Sequence, residues 1–286
     1  MRALAVHEDV IVVVSGVWQT TCTAVRSGDE GFLIDSPLLP DELDALPSLF
    51  EQAGFPVSGL LATHGDWDHL LGLLAFPNAS LGVGESTATR LKAELGTPQR
   101  RLREFDAEWY IAGRKPLGLG AFQGLPVPGR ISIGSQGGSG GEGGVGEIEV
   151  YPADGHTGDG VAYWIPWASV LVCGDYLSPV EIPMISAHSG GSLEAYRETL
   201  MRFAPLVGRA SLVVPGHGAP LNTAQAQTIL AEDVAYLDEL RASAVAGPDA
   251  SEVTLPEGRR SATQKQIHAA NLAACDSGGV SRRSDD

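Results

Sequence analysis

Residues 63–69 read Thr-His-Gly-Asp-Trp-Asp-His. Two histidines and two aspartates fall within six consecutive positions, directly after an apolar run at 57–62. A short apolar run bounded by a polar turn reads as a buried strand. Leu70, Leu71, Leu73 and Leu74 then read as the start of a buried helix. The turn thus joins a strand end to a helix start, where a rigid element aims the side chains of the loop. Neutral imidazoles and carboxylates are ligands for zinc, manganese and iron. Gly65 lets the backbone bend so that neighbouring ligands converge. The plain alternative is a turn in which Asp66 or Asp68 caps the next helix and the histidines are incidental; four potential ligands in so short a span weigh against it.

Outward from this turn, β-like runs alternate with helical ones. Strands are expected at 10–17, 22–26, 31–35 and 81–83. A helix is expected over 43–53, with Pro47 kinking it and Gly54 ending it, and another over 85–95. Residues 96–130 mix charges, aromatics, Gly and Pro without a period, which fits a lid or substrate-facing insertion as well as an ordinary surface connection. Arg100, Arg101 and Arg103 lie there, the only dense basic cluster before the C-terminal tail, and read as a solvated face. The stretch 134–146 is low-complexity and lacks the Lys-Ser/Thr ending of a phosphate loop, so it reads as a mobile hairpin loop. Strands follow at 148–151, 161–165, 169–173 and 211–214. One helix runs over 193–206 behind Ser192, a good N-cap, and another starts at Asn222 with Gln225 completing a capping box. The pattern predicts an α/β sandwich whose sheets mix parallel and antiparallel pairs, formed by residues 1–245. Residues 246–286 turn polar and small and are expected as a largely disordered tail, with a helical piece near 264–274 at most.

The 286-residue chain has 43% apolar residues and a formal net charge of −16. So acidic a surface repels phosphate backbones and disfavours nucleic acid as a partner. Runs of 18 or more apolar residues are absent, which argues against a membrane span. The apolar stretch at 10–14 follows Glu8 and Asp9 rather than a basic region and does not read as a signal peptide. Cys22, Cys173 and Cys275 are too few and too scattered for a disulfide framework, so a reducing, cytoplasmic setting is expected.

Three later sites each put one possible ligand beside glycine at a predicted strand end: His156 in Gly-His-Thr-Gly, Asp175 in Cys-Gly-Asp, and His217 in Pro-Gly-His-Gly. Alone each is a polar loop residue. In this order after the 63–69 turn, the set resembles the metallo-β-lactamase-fold hydrolases, over roughly residues 10–245. The 31–35 strand, ending Phe-Leu-Ile-Asp, is similar to an early strand and turn of that family. The resemblance implies an αββα four-layer sandwich with two divalent metal ions at one edge. His64, Asp66 and His156 would hold the first ion, Asp68, His69 and His217 the second, and Asp175 would bridge them. Asp66 departs from the family pattern, which usually has histidine there. Zinc is the first expectation, but a harder anionic ligand also admits iron or manganese.

The implied activity is hydrolysis of an ester, thioester, lactone, amide or phosphodiester bond in a small-molecule substrate by a metal-bound hydroxide, with Asp68 as the catalytic residue orienting the water. Gly-x-Ser-x-Gly occurs only within the low-complexity stretch, at 137–141, and not as an elbow between a strand and a helix, so a serine nucleophile has no support. Two other classes stay open. A di-iron redox protein is compatible with Asp66, although those members usually carry a fused flavin domain that nothing here resembles. A non-catalytic ligand-binding member of the fold has no need of seven converging ligands. Among further residues, Trp67 either lines the substrate mouth or packs beneath it, Tyr176 either donates to an oxyanion or sits at the core edge, and His188 reads as a loop histidine. His7 and His268 lie outside every motif.

Overall fold

The valines of residues 10–14 are buried on both faces of their strand, and this double burial sets the architecture. Val10, Val12 and Val14 point into one apolar cluster, Ile11 and Val13 into another. Near-continuous apolar strands of this kind belong to sheets covered on both sides. The computed structural model describes residues 1–134, 146–246 and 253–280, with side chains to residue 275. The loop expected to be mobile lies mostly at 135–145, outside the described residues.

Among the described residues, seven strands form the first sheet in chain order: β1 (Arg2–His7), β2 (Val10–Val14), β3 (Thr21–Ser27), β4 (Glu30–Asp35), β5 (Gly59–Leu61), β6 (Ser80–Gly84) and β7 (Phe122–Leu125). β1 to β4 pair antiparallel, and β4 to β7 pair parallel. The second sheet contains β8 (Gly129–Ile133), β9 (Gly146–Pro152), β10 (Val161–Ile165), β11 (Val170–Val172), β12 (Leu212–Val214) and β13 (Leu221–Asn222). Its pairs are antiparallel except β11 with β12. Val161, Tyr163 and Ile165 of β10 face the first sheet across a shared core with Val12, Ile34 and Leu61.

The outer face of the first sheet is covered by α1 (Pro40–Gln52), α2 (Gly72–Ala75), α3 (Glu85–Ala93) and α4 (Thr97–Glu108). The outer face of the second is covered by α5 (Leu193–Arg209), α6 (Thr223–Ala246) and α7 (Ala262–Val280). Helices, two sheets and helices make the αββα sandwich. None of the described helices is long and apolar enough to cross a membrane.

The caps expected from sequence are present. Ser192 Oγ accepts from Ala195 N at 3.2 Å. Asn222 and Gln225 exchange side-chain-to-backbone bonds at 3.0 Å each, closing a capping box at the start of α6. Other boundaries differ. Pro47 lies inside α1. The leucines after His69 form only the four-residue α2, behind a 3₁₀ turn at Trp67–His69. Within 96–130, α4 buries just Pro98, Leu102 and Phe105, too sparse a stripe to register as a period.

The C-terminal segment also differs from the expected tail. Val253 and Leu255 are buried, and Ile267, Leu272 and Cys275 pack against the helical core of the second sheet. Polar anchors complete the docking. Gln264 Oε1 accepts from Ile182 N at 2.7 Å, and Asn271 Oδ1 accepts from Ile185 N at 2.9 Å. Buried amides that satisfy backbone groups do not look apolar in a sequence, which is why the segment reads as solvated.

Candidate metal centre

The four motifs meet at one edge of the sandwich because each follows a strand. The 62–69 turn leaves β5, His156 lies between β9 and β10, Asp175 follows β11 and His217 follows β12. The two sheets are tied together at this edge by Thr21 N donating to Gly216 O at 2.7 Å. Glycine is required at two of these turns. At Gly155, with φ +130°, a Cβ would stand 2.2 Å from the backbone of Tyr196. At Gly216 it would stand 2.2 Å from Asp175 Oδ1, in the space the carboxylate fills. Gly65, by contrast, needs no left-handed bend; its N–H donates to Asp159 Oδ2 at 3.0 Å.

All seven predicted side chains converge. His64, His156 and Asp175 form one group with ligand atoms within 4.8 Å of one another, and Asp68, His69 and His217 form a second. Asp175 joins them: its Oδ2 is 3.3 Å from His156 Nε2 and its Oδ1 is 3.4 Å from His217 Nε2. Asp66 stands beside the first group, with Oδ2 3.7 Å from His64 Nε2 and 3.8 Å from His156 Nε2.

Each imidazole is turned by a contact at its other nitrogen. Nδ1 of His64 lies 3.2 Å from Thr63 Oγ1, that of His69 3.1 Å from Asp35 Oδ2, that of His156 2.8 Å from Met184 O, and that of His217 3.2 Å from Trp18 O. All four Nε2 atoms therefore face inward, the arrangement by which outer partners orient metal-ligating histidines. Asp35 takes a left-handed φ of 59° to reach its place, and it also accepts from Thr63 N at 2.8 Å.

The electrostatics are those of crowded acids and imidazoles. Burial opposes ionisation of Asp175, but His217 and His69 overcome it and hold the carboxyl well below its usual range. Burial likewise opposes charge on His217, yet Glu181 and Asp175 raise it to about 10. His64 is pushed down by burial and by neighbouring His69. Asp66 is held down to about 2 against burial by His64, His156 and Arg90.

The donor set fits divalent ions. Nε2 of His64, His69 and His156 and Oδ1 of Asp175 are buried and have no hydrogen-bond partner of good geometry among the described residues. Polar atoms so placed are costly unless something else satisfies them.

Sequence reading missed the groups that hold the ligands, because their partners are remote in the chain. Arg90 of α3 donates to Asp66 Oδ1 at 2.6 Å, Asp159 Oδ1 at 2.9 Å and Ser189 Oγ at 2.9 Å. Glu181 acts electrostatically on His217 and is itself raised by burial. Tyr176 is not an oxyanion donor: it is buried, donating to Ala153 O at 3.0 Å and accepting from His156 N at 2.9 Å. Trp67 both packs, against Trp18 and Phe105, and borders a cavity of about 370 Å³ that His188 also lines. His7 accepts from Asp9 N, and His268 contacts Tyr236; neither belongs to the two ligand groups.

A sequence model described as the metallo-beta-lactamase superfamily matches residues 15–217. The chain belongs to the metallo-beta-lactamase superfamily. Solved structures with the same fold include a metallo-beta-lactamase from Pontibacter korlensis, 16% identical, covering 80% of this chain and 97% of that one at a TM-score of 0.55. TTHA1623, solved in a di-iron-bound form, is 21% identical, with 75% and 95% coverage and a TM-score of 0.53. A stereoselective inverting sec-alkylsulfatase from Pseudomonas sp. is 13% identical, covering 96% of this chain but 50% of that one, at a TM-score of 0.68. Most superfamily members are hydrolases, and the fold together with the two His/Asp groups suggests binding of divalent metal.

Proposed function

We propose that this chain is a binuclear metal-dependent hydrolase. The observation that carries the reading is the set of inward-facing Nε2 atoms, each with its second nitrogen within 3.2 Å of a polar neighbour, surrounding a buried carboxylate with an unsatisfied oxygen. In this reading His64, Asp66 and His156 would hold the first ion and Asp68, His69 and His217 the second, and Asp175, whose Oδ2 faces His156 and Oδ1 faces His217, would serve both. When bound, a pair of divalent ions supplies Lewis acidity and a lowered pKa for water, which removes the need for a side-chain nucleophile.

The chain's own residues do the rest. Asp68, with Oδ2 3.6 Å from His217 Nε2, orients the attacking water, and Ser36 fixes its backbone by donating to Asp68 O at 2.9 Å. Asp35 and Met184 O keep His69 and His156 in the tautomer that leaves Nε2 free. The substrate is a small molecule with an ester, thioester, lactone, amide or phosphodiester bond. Zinc is the first expectation for the metal. The Asp66 carboxylate also suits iron, so an iron signal by EPR together with oxygen or nitric oxide consumption would move the reading to a di-iron redox protein.

Elemental analysis of the purified protein and of H69A and D175A tests the assignment. Two ions per chain are expected in the parent and at most one in each variant. Unchanged metal content in both variants would refute it. A substrate panel with the best-retained metal then identifies the bond cleaved.

A further inference from the structure

We propose that the cavity beside Asp66 is a subsite for an oxyanion carried by the substrate, gripped by Arg100 and Arg101. The proposal rests on the hydrolase reading only in taking the occupant to be the substrate. The cavity, about 370 Å³, lies between the Gly65–Asp66–Trp67 turn, the start of α4 and the loop bearing Met184 and His188. That volume falls within the ~300–1,000 Å³ of small-molecule clefts. Because Asp66 forms part of its wall, a ligand filling it lies against the first ligand group.

In a chain of net charge −16, three arginines line this cavity against two acids, Asp66 and Glu94. Arg90 is committed: it bonds Asp66 at 2.6 Å and Asp159 at 2.9 Å, and sits 3.4 Å from Glu94. Arg100 and Arg101 are not. Among the described residues both reach only Glu104, each at 3.7 Å, so two guanidinium groups with five donors apiece share one exposed carboxylate. Arg100 closes the first turn of α4, which contains no acidic residue, and Arg101 follows directly after it. Cations there oppose the helix dipole, so the placement works against local stability.

The guanidinium fork matches a carboxylate or a phosphate in two-point contact. A concave, partly apolar wall focuses the field that a flat solvated face would dissipate. Trp67, Pro98 and Met184 supply apolar wall, so the occupant is an organic anion whose charged group stands off from the bond to be cleaved.

The test uses the R100S/R101S variant, in which both altered side chains are about half exposed and their loss spares the core. The metal-free parent and variant are titrated calorimetrically with 3-phenylpropanoate, phenyl phosphate and neutral 3-phenylpropanol. The parent is expected to bind at least one anion tenfold or more better than the alcohol, with affinity falling as salt rises, and the variant to lose that preference. The two anions report which oxyanion is favoured. No preference for either anion in the parent, or the same preference in the variant, overturns the subsite. With metal restored, the ratio of kcat/KM for mono-4-nitrophenyl glutarate over 4-nitrophenyl butyrate should fall tenfold or more in the variant; an unchanged ratio also overturns it. If the parent cleaves neither ester, the hydrolase reading loses its ester branch, and the titration still decides the subsite.

Discussion

Replacing Arg90 by methionine keeps the apolar stem of the side chain and removes four hydrogen bonds at once, to Asp66, Asp159, Ser189 and Glu94. The Arg90 side chain is 13% exposed, Asp159 only 4% and Asp66 24%. Breaking a buried ion pair by removing one partner costs about 3–5 kcal/mol, because the other charge stays behind uncompensated. Asp159 meets that condition fully and Asp66 partly, so R90M should destabilise the metal-free protein by about 4 kcal/mol. D66N is milder, about 1–2 kcal/mol, since Arg90 keeps Asp159. Once Arg90 is gone, an ionised Asp66 loses its guanidinium partner, and the amide is the better occupant. The double variant should therefore be about 2 kcal/mol more stable than the two separate losses imply, within the range of coupling between contacting residues. Urea denaturation of the four metal-free proteins measures this directly. Additivity within about 0.5 kcal/mol would refute the view that Arg90 holds Asp66 in place as a ligand. The same proteins should differ in metal retention, with R90M losing about 10–100-fold in affinity at the first group, the usual cost of removing an outer partner of a ligand.

Four further outcomes are expected. D35N should weaken metal binding by about 10–100-fold, read by competition with a chelator, since Asp35 orients both His69 and Thr63. G216A should release metal and cost about 1–3 kcal/mol of stability by forcing Asp175 out of its place, visible in elemental analysis and denaturation. N271A should cost about 2–4 kcal/mol in denaturation, because Asn271 is fully buried and bonds Ile185 N, Pro183 O and Tyr236 Oη. Glu42 supplies a pH dependence away from the metal groups. Burial opposes its ionisation, but Ser15 Oγ and the N–H groups of Gly16 and Leu39 hold it below its ordinary 4.5. A depressed carboxyl stabilises the fold fully above its unfolded value and loses that contribution as pH falls through the folded one. The gap in stability between parent and E42Q should thus be about 1–2 kcal/mol at pH 7 and shrink as pH drops below about 4.5, and a gap that grew in acid would contradict the assignment.

The metal groups were legible in sequence because each ligand lies within a short local signature at the end of an apolar strand. His64 to His69 span a single turn, and β10 reads directly as Val-Ala-Tyr-Trp-Ile. The supporting residues were not legible for the opposite reason. Arg90 meets Asp66 across 24 positions and Ser189 across 99, so no window of sequence contains the pair. The 96–130 stretch hid α4, β7 and part of β8 because it packs through few residues. The helical piece expected near 264–274 lies within α7, but its docking was not legible, because part of that anchorage is amide chemistry, which composition counts as solvent-loving.

That last anchorage bears on how the molecule comes into being. The amides of Gln264 and Asn271 fasten the stretch from Ile182 to Ile185, and the carbonyl of Met184 within it steers the ring of His156. A nascent chain emerges from its N-terminus, at about 5–20 residues per second. All seven proposed ligands have been synthesised by His217, yet the clasp on the 182–185 stretch must wait for Asn271. Assembly of the first ion's cradle is thereby timed to the arrival of the final helix, and a ribosome stalled between these two points would display every ligand without the brace that aims one of them.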